Sequence, residues 1–105
     1  MDRDIYRIID EYRKRLEQKG ILIKKLILYG SYAKGETREH SDIDLAVVSN
    51  DFQNMDLFER MSFLGRARTG IRRPMEIIGL TVDEYDNPPT FFIRDEVKAK
   101  GIEVE

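Results

Sequence analysis

The sequence predicts one domain of the α/β or α+β class, a single small sheet of three or more strands flanked by helices. Three observations carry this: an amphipathic stripe opens the chain, three short aliphatic runs follow it, and glycine or proline punctuates the segments between them. At 105 residues the chain is long enough for one core and too short for two, so residues 1–105 read as a single domain.

Ile5, Ile8, Ile9, Tyr12 and Leu16 recur three and four residues apart, which predicts a helix from Asp2 to Lys19 that stops at Gly20. Lys25–Tyr29 (KLILY) is long enough for a buried strand and too short for a helix, and Gly30-Ser31 ends it. Asp42–Val48 (DIDLAVV) reads as a second strand, reached through a polar loop. A helix is expected from Asn54, as its cap, to Thr69, with Gly70 as its stop and Leu57, Phe58, Met61 and Leu64 as its core stripe. Phe63 falls off that stripe, as an exposed residue or one beneath the following loop, and Arg68 falls on it. After Pro74, Met75–Leu80 (MEIIGL) reads as a third strand, and Thr81-Val82-Asp83-Glu84 as a capping box opening a short helix. Asn87-Pro88-Pro89 breaks that helix. Thr90–Lys100 is expected to form a last one, anchored by Phe91-Phe92-Ile93 and stopped at Gly101. Tyr6, Tyr12, Tyr29 and Tyr85 are expected in or beside the core.

Hydrophobic residues make up 41% and charged residues 36%, with a mean hydropathy of −0.51, a globular composition rather than a disordered one. No apolar run approaches 20 residues and the N-terminus opens acidic, so neither a membrane span nor a signal peptide is expected. The absence of cysteine excludes disulfides, thiolate zinc sites and cysteine nucleophiles, and fits a reducing cytoplasm. A single histidine, His40, excludes a multi-histidine metal site and reads as a solvated loop residue. Eighteen basic against 20 acidic residues give −2, which argues against nonspecific nucleic-acid binding by the whole surface. Arg60, Arg66, Arg68, Arg72 and Arg73 lie in a stretch without an acid, either a solvated helix end or a contact surface for phosphates or an acidic partner.

The segment that carries chemistry is Gly30–Asp44, GSYAKGETREHSDID. Gly30-Ser31 sits where a strand exits into a tight turn whose amides, serine hydroxyl and nascent helix suit phosphate oxygens. Asp42 and Asp44, two apart on a strand, point to one face about 6.6–7 Å apart at the backbone. Carboxylates so placed can bracket divalent ions, and oxygen-only ligands favour Mg²⁺ or Mn²⁺. Alone, Asp-x-Asp also describes edge-strand acids facing water.

Taken together, Gly30-Ser31, ten intervening residues and Asp42-Ile43-Asp44 between two strands resemble the signature of the DNA polymerase β-like nucleotidyltransferase superfamily. The spacing resembles in particular the minimal nucleotidyltransferases that act as antitoxins to HEPN-domain toxins. The resemblance implies that superfamily's small mixed sheet, with Gly30 and Ser31 on the β/γ-phosphates of ATP. It further implies Asp42 and Asp44 on two Mg²⁺ ions, with a third acid as ligand and possible base. Glu76 is the candidate for that acid, where the family usually has aspartate. Asp83 and Glu84 are rivals explained by helix capping, and Asp51 and Asp56 by a loop and a helix start. Many members read GSRARG; here Tyr32 and Lys34 occupy the arginine positions, and Lys34 retains a charge for phosphate. The implied function is adenylylation of a tyrosine on a cognate HEPN RNase toxin, in a hetero-oligomer in the cytoplasm. The alternatives are an antitoxin that inhibits by binding alone, and a transferase acting on a small molecule or RNA.

Overall fold

The computed structural model describes residues 3–36 and 41–104. Helix α1 (Arg3–Gln18) leads to β1 (Lys25–Tyr29), the short helix α2 (Ser31–Lys34) and β2 (Ile43–Val48). A 3₁₀ turn (Asn50–Phe52), α3 (Leu57–Ala67), β3 (Met75–Leu80) and α4 (Val82–Asp86) follow. A π-helix (Ile93–Ala99) and β4 (Ile102–Val104) complete the order. The four strands form one mixed sheet in the order β3-β2-β1-β4. β1 is antiparallel to both β2 and β4, whereas β2 and β3 are parallel. His40 lies outside the described residues.

Strand alternation divides the apolar residues between two faces. Leu26 and Leu28 of β1 with Ile43, Leu45 and Val47 of β2 pack under α1 and α3, against Ile5, Ile9, Tyr12, Leu16, Phe52 and Leu64. Ile27 and Tyr29 with Ala46 and Val48 face the other way, against Val97, Val82, Tyr85 and Ile93 of the C-terminal elements. Burying β1 and β2 on both faces explains why they read as continuous apolar runs. The Tyr12 hydroxyl donates to the Leu64 carbonyl at 2.8 Å, and Arg15 donates to the Ala67 and Thr69 carbonyls, which fixes α1 to the end of α3.

Four expectations change. α3 starts at Leu57 and is capped by Asp56, not Asn54: the Asp56 carboxylate accepts from the Glu59 amide at 2.8 Å and the Glu59 carboxylate accepts from the Asp56 amide at 3.0 Å. With that start, Leu64 and Ala67 are buried and Phe63 packs half-buried on the core, while Leu57, Phe58 and Met61 face outward. Phe91 is exposed beneath Arg94, and the helix it was expected to anchor has π winding. Tyr6 is largely exposed; Tyr12, Tyr29 and Tyr85 pack as expected. β4 was not anticipated as a strand.

Candidate functional site

Glu76, Asp44 and Tyr29 form a row across three strands, because Asp44 pairs in register with Glu76 of β3 on one side and Tyr29 of β1 on the other. The row lies at the end of β1 and the starts of β2 and β3, on the face that carries the C-terminal elements. Asp42 stands one residue before β2 and is exposed. Asp44 feels both neighbouring acids. Partial burial, then the charge of Glu76, then that of Asp42, and finally a hydrogen bond shared with Glu76, push its carboxyl up to about 6. No cationic side chain forms an ion pair with Asp42, Asp44 or Glu76 among the described residues.

Gly30 is built for this row. Its φ of 71° and ψ of −146° suit glycine alone. A Cβ there would also lie 2.1 Å from Asp44 Oδ2. A side chain at position 30 would therefore collide with the Asp44 carboxylate, and Ser31 follows at the start of α2.

Two further groups border the turn. Tyr32 is buried rather than available to a ligand; its hydroxyl accepts from Arg73 Nη2 and donates to the Ser41 carbonyl at 3.4 Å. The Arg73 guanidinium lies 6.0 Å from the Tyr32 ring centroid, so a charge lacking at position 32 arrives from position 73. Lys34 Nζ pairs with Glu96 Oε2 of the π-helix at 2.8 Å, and that hydrogen bond raises its pKa. Tyr29 stacks edge-on with Phe92, centroids 5.7 Å apart at 83°. Burial and then the charges of Asp44 and Glu76 push its hydroxyl upward.

The structure thus brings Gly30, Asp44 and Glu76 together, with Ser31 beside Gly30 and Asp42 near enough for its charge to reach Asp44. Tyr29, Arg73 and Glu96 were not foreseen as neighbours of the site. Tyr29 directly precedes Gly30 but reads as the core residue that ends an apolar run, and Arg73 and Glu96 are distant in sequence. Among the described residues no three acidic or imidazole side chains converge on one point as a ready-made metal cage. The donors present are nonetheless all oxygen, mutually repelling and without a cation, a set that fits a hard divalent ion.

The chain belongs to the nucleotidyltransferase domain family, whose model matches residues 9–103. A Methanocaldococcus jannaschii protein named "Putative protein adenylyltransferase MJ1379" is 36% identical over 80 residues, covering 76% of this chain and 72% of that one. A second protein of that organism, "Putative protein adenylyltransferase MJ1305", is 42% identical over 45 residues. That match covers 42% of this chain and only 31% of the relative's length. A Sulfolobus solfataricus crystal structure of "a putative nucleotidyltransferase" has the same fold, with a TM-score of 0.72 over 95% of this chain and 78% of that one, at 23% identity. No helix among the described residues is long and apolar enough to cross a membrane.

Proposed function

We propose that the chain transfers AMP from ATP to a tyrosine hydroxyl of a HEPN-domain RNase toxin and so acts as its antitoxin. The observation that carries the transfer reaction is the Asp44–Glu76 pair, in register on parallel strands against a turn that only glycine can make. Relatives named as protein adenylyltransferases support a protein as the acceptor.

In this reading Gly30 and Ser31 bind the triphosphate tail, and Lys34 and Arg73 add positive charge beside them. The acceptor oxygen attacks the α-phosphorus as the bond from that phosphorus to the pyrophosphate oxygen breaks. The acceptor proton passes to the Glu76 carboxylate, and pyrophosphate leaves. Asp42, Asp44 and Glu76 would hold divalent ions, two Mg²⁺ or Mn²⁺, whose charge would offset that developing on the phosphoryl oxygens.

Labelled ATP, Mg²⁺ and the product of the neighbouring gene test this. Label is expected on a partner tyrosine, and Asp42→Ala/Asp44→Ala should lower the rate at least about 100-fold. Absence of label, or labelling unchanged in the double variant, would overturn it. Glutamate at position 76 and the engagement of Lys34 by Glu96 favour a second reading, neutralisation by binding alone. Under that reading the double variant still protects cells from the toxin.

A further inference from the structure

Phe92 is an exposed aromatic at the edge of the acid row. Its ring meets Tyr29 edge-on, centroids 5.7 Å apart at 83°, and Tyr29 pairs in register with Asp44. Whichever of the two rings presents its edge, at least one face of Phe92 stays clear of Tyr29. The residue is 49% exposed. Ile93 and Val97 already hold the C-terminal segment to the core, so anchorage does not require this ring.

Two contacts fix where the ring stands relative to the phosphate turn. Phe92 meets Tyr29, and Glu96, four residues on, pairs with Lys34 at 2.8 Å. The segment therefore runs along the chain from Tyr29 to Lys34, with Glu96 at the far end of the turn and Phe92 at the acid row. Neighbouring strands lie about 4.8 Å apart, so Phe92 stands one strand spacing and one ring contact from Asp44, a reach of roughly 10 Å. A nucleoside triphosphate with its tail on Gly30-Ser31 and its α-phosphorus facing Asp44 carries its base one ribose further out, within that reach.

We propose that Phe92 is the platform on which the nucleobase of ATP stacks, with Tyr29 holding the ring in place. This rests on the nucleotidyl-transfer reading and adds to it a subsite for the base rather than the phosphates. Every base has a π-face, and a half-exposed ring braced by a buried tyrosine offers it a partner without leaving a polar group unpaired.

The chain has no tryptophan, so Phe92→Trp places a single indole at the subsite. With Mg²⁺ present, ATP should quench its fluorescence. Inorganic tripolyphosphate, which has the tail and no base, should leave it unchanged. Titration calorimetry on the full chain gives a second readout. Phe92→Leu keeps apolar bulk and loses the ring; it should raise the dissociation constant for ATP about 5- to 150-fold. The constant for tripolyphosphate should stay the same, a split that partial unfolding cannot produce. An indole that ATP fails to quench, or that tripolyphosphate quenches as strongly, would overturn the proposal and leave the transfer reading standing. So would equal losses for both ligands in Phe92→Leu, or ATP affinity unmoved by it, including the case where only labelling of the protein acceptor falls. A natural chain that binds neither ligand would overturn both.

Discussion

Asp44 is held in a place that suits a ligand better than it suits the folded chain. Its carboxyl titrates near 6 in the native state, against an ordinary value of 3.8. The native state therefore holds the extra proton between those values, and stability falls as pH rises through that window. Below it Asp44 costs nothing; above it the ionised group costs about 1–2 kcal/mol after solvent screening. In chelator, Asp44→Asn should melt higher than the natural chain at pH 7, by roughly 4–8 °C per kcal/mol. The gap should close toward pH 4. Paired melting curves at the two pH values check this, and a gap independent of pH would contradict the origin given for the shift. That Gly30, Ser31, Asp42 and Asp44 stand close together could be read in advance from the strand–turn–strand spacing, whereas Glu76 entered only through the family resemblance. Tyr29 could not, because a tyrosine ending an apolar run looks the same in a core as beside an acid pair. Arg73 reaches the turn only through folding.

Among the elements, capping chemistry gave the right start for α4 and the wrong one for α3, and apolar spacing located α1 and three strands but not the inward side of α3. The Thr81 box formed as expected, with the Thr81 hydroxyl accepting from the Glu84 amide at 3.1 Å. Glu84 also accepts from Arg60 Nη1 at 2.6 Å, and Arg60 donates to the carbonyls of Gly79 and Met55, each at 3.1 Å. This guanidinium links α3, β3 and α4. Burial alone would push the Glu84 carboxyl up, but the Thr81 amide and Arg60 outweigh it and leave it lowered. Arg60→Ala should therefore cost about 2–3 kcal/mol, which the midpoint of urea unfolding measures. The apolar residues of α3 misled for a physical reason: a stripe facing water and a stripe facing a core have the same period. Only the Asp56 cap, which fixes where the helix begins, and the packing of Leu64 and Ala67 settle which side turns inward.

At the scale of the whole molecule, the three strands visible in the sequence leave β1 with a free edge, and β4 closes it. Three residues carry too little periodicity to announce a strand; their pairing with Leu26, Ile27 and Leu28 defines it. Ending the chain after Gly101 would remove that ladder and the half-buried Ile102 and Val104, at an expected cost of about 2–4 kcal/mol. Urea unfolding with a midpoint equal to that of the full chain would show that the edge does not need its cover.

The clasp between Lys34 and Glu96 sets two demands against each other. Under the proposed function, an anion on the turn would draw the ammonium toward itself and away from the Glu96 carboxylate that it now pairs with. Occupancy at one end of the clasp would then be thermodynamically linked to attachment at the other, so that a tighter hold on the tail would mean a weaker welcome for the guest.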